Sequence, residues 1–410
     1  MNRNRVNKKR MGRARVLSRA AAGMLAAALC FQPMTALAGP AGDSSLTSSS
    51  SNAGPGGGSG SSNSGSTGSS GGSTSVSNGS VSAVTSGLGV YRVTENEGIG
   101  AIARGVDVSY WQQNVNWSQV ASDNVQFAML ATRFRGNVDP FFAMNAANAS
   151  QAGLRLGAYI YSYATSVEMA QQEADFVLNL IKDYPISFPV VFDAEDANTL
   201  GTLTQSQVSD VINAFCKRIQ DAGYYPMVYA NEYWIANKID MSKISYDIWV
   251  AKYQQKYTYS KTSMWQASNT GSVKGVNGNV DIDYLYKDYT QIIPGNTWRT
   301  IAGNRYYYQN HVMQKAAWIN DGQNWYYMNA AGNPSTGWLE LSGKKYYLEA
   351  DGHMITGWKT LDGGWRYFDA SGEQATGWRA VDGSWYFMAD NGLMQTGWLD
   401  LGGKKYYLDA

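Results

Sequence analysis

Histidine and cysteine are nearly missing from this chain, with two of each among 410 residues. Both histidines, His311 and His353, lie in the last quarter. Chemistry in the middle of the chain must therefore run without imidazole. That excludes a Ser-His-Asp triad, a Cys-His pair and a histidine-ligated zinc site there. The cysteines are Cys30 and Cys216. If Cys30 leaves with an export signal, one thiol remains, no internal disulfide forms, and the fold rests on its core. Charge is also sparse: Asp, Glu, Lys and Arg make up 16% of the chain. The net charge of +1 hides an asymmetry, with eight basic residues in the first 19 positions and no acid in the first 38. Beyond residue 38 acids outnumber bases by seven. A net-acidic chain with no basic run outside its N-terminus is a poor partner for nucleic acid. No apolar run is long enough to span a bilayer, which takes about 20 residues.

The longest small apolar stretch, AAAGMLAAALCF, follows a basic segment from Arg3 to Arg19 and precedes Ala36-Leu37-Ala38. That order reads as a signal peptide over residues 1–38. It predicts a secreted protein beginning at Gly39, with no membrane contact after cleavage. Residues 39 to about 88 are Gly and Ser with scattered Thr and Asn. Such a composition buries little apolar surface, so it predicts a flexible linker, with 39–103 as linker and lead-in.

Aromatic residues are 13% of the chain, so packed domains follow. Over 104–290 eight apolar runs read as strands: GVDVSY, QFAMLAT, LGAYIYSYA, FPVVFDAE, YPMVYA, YDIWVAKY, SMWQAS and NVDIDYL. Helical segments lie between several of them, and Thr165-x-x-Glu168 and Thr204-x-x-Gln207 read as capping boxes. Cys216 shares an apolar helical stripe with Val208, Val211, Ile212 and Phe215, which makes it core. The alternation predicts a parallel α/β barrel. Its last strands leave little room for helices, so the barrel should be irregular.

Acid–base work in a barrel without histidine falls to carboxylates. Of 18 acids between 104 and 290, Asp107, Asp193 with Glu195, and Asp281 follow apolar runs. They are expected near the C-terminal ends of strands, where barrel enzymes assemble their sites. Side chains alternate along a strand, so Asp193 and Glu195 face one space, roughly 6 to 7 Å apart. Two acids in a partly apolar pocket do not ionise equally, and one tends to stay protonated as a general acid. This is equipment for cleaving a glycosidic bond; strand-end acids that cap a helix or bind a surface cation are the bland alternative. Tyr161, Tyr163, Tyr229, Trp249, Tyr253 and Trp265 lie near the same strand ends. They suit stacking against sugar rings, with core packing the alternative for each.

The stretches GVDVSYWQ, GAYIYSYA, VVFDAED, MVYANEYW, IWVAKY, MWQAS and GNVDIDYL carry a resemblance. In that order they resemble the family 25 glycoside hydrolases, the muramidases that include many phage and bacterial lysozymes. The resemblance implies an irregular α/β barrel that cleaves the β-1,4 bond after N-acetylmuramic acid in peptidoglycan. It further implies Glu195 as proton donor. Asp193 becomes the acid that stabilises the developing charge or orients the N-acetyl group. Asp107 and Asp281 line the cleft, with Asp283 able to share the role of Asp281. No metal or organic cofactor is implied.

Residues 291–410 differ in kind. Trp298, Trp318, Trp338, Trp358, Trp378 and Trp398 recur every 20 residues, four of them in Thr-Gly-Trp. Trp325, Trp365 and Trp385 come seven residues after a repeat Trp. The period predicts a stacked array with one β-hairpin per repeat. The pattern, as in TGWLELSGKKYYLEADGHM, resembles the choline-binding type of cell-wall repeat. The resemblance implies aromatic cages built from Trp318, Trp325, Trp338, Trp358, Trp365, Trp378, Trp385 and Trp398. Their ligand is a wall polymer, either choline-bearing teichoic acid or glucan, and a quaternary ammonium is held by ring faces. A simple stacking spine is the alternative. Lys345 and Lys405 stand where other repeats have Trp, which weakens those cages. The whole reads as a secreted, wall-tethered peptidoglycan hydrolase. A non-catalytic wall adhesin and a glycosidase of another N-acetylated polysaccharide are the rivals. A chitinase with the long DxxDxDxE motif is disfavoured, because only the final DxE is present.

Overall fold

The computed structural model describes residues 82–409. The signal-peptide assignment and the linker over 39–81 lie outside the described residues. The described chain opens on an antiparallel hairpin, Ser82–Ser86 against Gly89–Val93. Linker composition had run to about residue 88, so this is a correction. Tyr91, 1% exposed, anchors the hairpin. Glu95 just beyond it pairs with Arg104 of the barrel at 3.2 Å and accepts a hydrogen bond from the Tyr284 hydroxyl. Asn124 also exchanges hydrogen bonds with the Arg92 backbone, at 2.9 and 2.6 Å, so a segment whose Ser and Gly content reads as linker is docked on the barrel.

All eight expected strands form, and they close into one barrel in chain order. They are β1 (Ala103–Val108), β2 (Phe127–Ala131), β3 (Arg155–Tyr161), β4 (Ile186–Asp193), β5 (Pro226–Asn231), β6 (Asp247–Ala251), β7 (Thr262–Gly271) and β8 (Val280–Leu285). Helices α1 (Trp117–Ser122), α2 (Phe142–Gln151), α3 (Val167–Ile181), α4 (Gln205–Asp221) and α5 (Glu232–Asn237) follow β1 to β5 in turn. No α-helix follows β6 or β7. The sequence predicted a parallel barrel, and the last strand departs from that. β8 runs antiparallel to both β7 and β1. The cause is the short link over residues 272–279, since a parallel crossover needs about a dozen residues or more.

Strand alternation sorts the barrel's side chains. Phe127, Met129, Phe188, Val191, Met227, Trp249, Met264 and Leu285 fill the bore. Their sequence neighbours pack outward in a second core with the helices. Helix α4 presents Val208, Val211, Ile212, Phe215, Cys216 and Ile219 to that layer, and Cys216 is fully buried as expected. Burying a Val, Ile or Phe side chain contributes roughly 1.5–3 kcal/mol. Thr204 and Gln207 form the expected capping box on α4. The other does not form: α3 is capped by Ser166, whose hydroxyl accepts from the Met169 N–H, one residue beyond Thr165.

From Thr297 onward the chain is a run of hairpins at the 20-residue period. Ser342-Gly343, Asp362-Gly363 and Asp382-Gly383 all have positive φ, the requirement of tight two-residue turns. The first hairpin packs on the barrel. The Thr300 N–H donates to the Ala222 carbonyl at 3.2 Å, the Tyr308 hydroxyl to the Lys182 carbonyl at 2.8 Å, and Lys315 pairs with Asp183 at 2.7 Å.

Candidate active site

The strand ends at one mouth of the barrel carry the carboxylates. Asp107 lies one residue before the end of β1, Asp193 ends β4, and Glu195 follows two residues later. Asp281 was expected at the end of an apolar strand, but it is the second residue of β8. It reaches the same mouth because β8 is reversed, and there it sits directly across from Asp107 in the ladder. Asp283 lies one inward-facing step deeper, fully buried, and accepts from the Trp249 indole N–H at 3.0 Å.

Burial raises every one of these acids, and like charge adds to it at Asp107, Asp193 and Asp283. Asp193 is held well above the ordinary carboxylate range by burial and then by the Glu195 charge. Its Oδ1 is buried with no hydrogen-bond partner. Glu195 is also raised by burial, against hydrogen bonds from Asn231, whose N–H its Oε1 accepts. In the structure the like charge bears on Asp193, the more deeply buried of the two. Asp107 is raised by burial and by the charges of Asp281 and Asp283, while Asp281 is pushed up to about 6 by burial. These carboxyls cannot all ionise together.

Tyr159, Tyr229 and Tyr253 lie among the carboxylates. Burial first, then charges from Asp107, Asp193 and Asp281, hold the Tyr159 phenol well up. Tyr229 and Tyr253 donate to the Gln266 carbonyl oxygen at 2.7 and 2.8 Å, and the Gln266 amide donates to Asp107 Oδ2 at 2.7 Å. Gln266 thus fixes one oxygen of Asp107 and two phenols. Gln266, Tyr159 and Asn231 were absent from the sequence-based site. Two-residue alternation within SMWQAS puts Gln266 on the same face as Met264, and the structure turns that face to the bore. Glu173 of α3 was also missed. It pairs with Arg133 at 2.6 Å and accepts from the Ser162 hydroxyl and the Tyr163 N–H, which ties the end of β3 in place.

The aromatic expectations divide. Tyr161 donates to Asp196 at 3.1 Å, and Tyr163 packs edge-on against it beneath the Arg133 guanidinium. These two and Tyr253 border the mouth with part of each ring free. Tyr229 is buried in the Gln266 network. Trp249, 1% exposed, is the floor beneath Asp283 rather than a free stacking face. Trp265 faces away from the bore: it packs on Tyr257 and Tyr284 and donates to the Lys252 carbonyl at 2.9 Å. Alternation sends it outward between inward Met264 and Gln266.

In the hairpin array each repeat Trp from Trp298 to Trp378 meets aromatics of its own hairpin and the next. Trp358 lies 6.3 Å from Trp365 and 4.7 Å from Tyr386, and Trp378 lies 6.5 Å from Trp385 and 5.1 Å from Tyr406. Trp318 lies 5.1 Å from Tyr346, with Trp325 half-exposed at the corresponding place. Trp338 packs on Tyr347 of its own hairpin at 5.3 Å and Phe368 of the next at 5.9 Å, but Lys345 and Arg366 stand where those repeats have Trp and Tyr. Trp398, 75% exposed, packs on Tyr407, with Lys405 at the weakened position.

Residues 106–276 match the glycosyl hydrolases family 25. Residues 335–376 and 375–410 match the choline-binding repeat, and 317–333 match a cell wall binding repeat. Over 189 residues the chain is 31% identical to uncharacterized protein YegX of Escherichia coli (strain K12), covering 44% of this chain and 68% of that protein. The chain belongs to glycosyl hydrolase family 25. It is also 30% identical over 195 residues to lysozyme M1 of Streptomyces globisporus, covering 43% of this chain and 66% of that one. Among solved structures, the multimodular pneumococcal cell wall endolysin from phage Cp-1 is similar, at 22% identity and a TM-score of 0.37, over 75% of this chain and 92% of that one.

The buried acids of this family 25 barrel come at a cost in stability. Asp283 is raised well above its ordinary pKa by burial, and its Oδ2 has no partner. A raised folded-state pKa means stability that is present at low pH and is lost as pH rises through the folded value. Asp283→Asn keeps an acceptor for Trp249 and removes the charge. Its melting temperature at pH 7 is expected to exceed that of the unmodified protein by a few degrees, about 1 kcal/mol in a domain of this size. The gap should close toward about pH 4, near the ordinary carboxylate value. A lower melting temperature at pH 7 would show that the charge is compensated.

Proposed function

We propose that this glycoside hydrolase is a secreted muramidase, cleaving the β-1,4 bond between N-acetylmuramic acid and N-acetylglucosamine in peptidoglycan. In this reading, residues 104–290 form the catalytic domain and residues 291–410 tether it to a choline-bearing wall polymer. The observation that carries it is the pairing, in one chain, of a family 25 barrel with repeats that match choline-binding modules. A relative named lysozyme M1 supports the substrate class.

Glu195 is the proton donor to the leaving oxygen. One carboxylate oxygen is engaged by Asn231, and partial burial keeps the proton in place. Asp193, ionised, stabilises the oxocarbenium-like charge. Asp107 and Asp281 line the cleft, with Gln266 setting the orientation of Asp107. Tethering raises the local concentration of substrate without adding contacts at the cleft.

Mass spectrometry of fragments released from purified peptidoglycan tests the bond. Muramic acid at the new reducing end is expected. N-acetylglucosamine there would instead make the enzyme a glucosaminidase, and no release at all would favour an adhesin.

The tether carries its own prediction. Trp358→Ala removes the ring shared by Trp365 and Tyr386, so wall binding in a sedimentation assay should weaken several-fold, in line with about 0.5–2 kcal/mol per cation–ring contact. Lys345→Ala should change binding little. Equal losses in the two variants would show that the rings serve only as a spine.

A further inference from the structure

Six repeats create five junctions, and each junction has three wall positions. They are the repeat Trp, the residue seven places later, and the residue 28 places later in the next hairpin. Three junctions have Trp, Trp and Tyr there: Trp318/Trp325/Tyr346, Trp358/Trp365/Tyr386 and Trp378/Trp385/Tyr406. The other two depart in one direction, toward arginine and lysine. The first is Trp298/Arg305/Tyr326 and the third is Trp338/Lys345/Arg366.

The two arginines do not point away from their junctions. The Arg305 guanidinium carbon lies 4.2 Å from the centre of the Trp298 ring, and Arg305 donates to the Asp351 carbonyl at 3.3 Å. Arg366 lies 5.0 Å from the centre of the Trp338 ring and is 7% exposed. It pairs with Asp362 at 3.2 Å and donates to the Asn391 carbonyl. Asp362 also accepts from the Trp338 indole N–H at 3.3 Å, so one carboxylate holds ring and guanidinium together. At the Trp298 junction Asp321 holds the indole N–H in the same way at 3.1 Å. Against Trp338 and Leu339 lies a cavity of about 350 Å³ that Glu340, Lys345, Asp362 and Arg366 also line.

A guanidinium within about 6 Å of an indole face uses the same attraction that would hold an ammonium ligand. It is always charged, and its tether removes the translational cost a free ligand meets. A second cation entering the same space would meet its repulsion. We propose that Arg305 and Arg366 are resident cations that occupy two of the five junctions, so the array takes a quaternary ammonium at three junctions only. This rests on the reading that the aromatic junctions bind such a group.

Equilibrium dialysis of the full chain with labelled choline tests it, and the unmodified protein is expected to saturate at three equivalents. Trp358→Ala should lower the count to two. Arg305→Trp restores the common residue at the first junction and should raise the count to four. Lys345→Trp combined with Arg366→Tyr should do the same at the third junction. Saturation of the unmodified chain at five would overturn the proposal while leaving the ammonium reading intact. So would the absence of any gain in both arginine variants while Trp358→Ala drops to two. No choline uptake at all would overturn the ammonium reading, and the proposal with it. The count for the unmodified chain needs no variant to fold.

Discussion

Glu195→Gln is expected to lower the initial rate of reducing-end release from purified peptidoglycan by about 10²–10⁴-fold, the usual contribution of a general acid. The argument is geometric first. Glu195 stands just past the end of β4, half-buried, with one oxygen accepting the Asn231 N–H. The other carboxyl oxygen is left for a leaving group. Burial raises its pKa, so the proton persists to higher pH than on an exposed glutamate. Gln matches Glu in size and its carbonyl oxygen can still accept from Asn231, but it has no transferable proton. Folding, followed by circular dichroism, and wall binding should be unchanged. If more than about a tenth of the activity survived, less than a lost general acid should remove, the donor would have to be sought among Asp107, Asp281 and Asp283.

Asp193→Asn should be the next most damaging change, for a different reason. Its carboxylate has a buried oxygen with no partner, beside Glu195 and close to Tyr159 and Tyr229. A charge left unneutralised at that spot is available to a cationic transition state. Losing one such preorganised group typically costs about 10²–10³-fold. The pH profile separates this role from that of Glu195. Asp193 and Glu195 share one space and are both raised, so they titrate as a pair whose working form carries a single proton, and activity should fall as pH drops through the pair's lower step. That proton is used from Glu195, so activity should fall again as pH rises through the pair's upper step. Asp193→Asn should lose the acid limb and keep the alkaline one. A profile that merely scales down, with both limbs in place, would reassign the acid limb to another group.

The array and the strand list were legible because both are written as local periodicities. A Trp every 20 residues and two-residue turns rich in Gly need no knowledge of distant contacts, and the apolar runs of 104–290 mark strands whatever they pair with. The histidine-free middle of the chain pointed to carboxylates. Strand alternation singled out Asp193 with Glu195 as a pair facing one space, although the strand itself ends at Asp193. What the chain could not reveal locally was direction and pairing. The reversal of β8 brings Asp281 to the mouth from the opposite end of its strand, and only the closed ladder to Asp107 shows this. The inward turn of Gln266 and the outward turn of Trp265 depend on which face of β7 meets the bore, and a run apolar on both faces does not say. Tyr91 and Glu95 dock a Ser- and Gly-rich segment through contacts with residues far along the chain. Arg305 and Arg366 are visible in the sequence as departures from a repeat. That each lies over an indole is a matter of where successive hairpins stack, which only the tertiary structure decides.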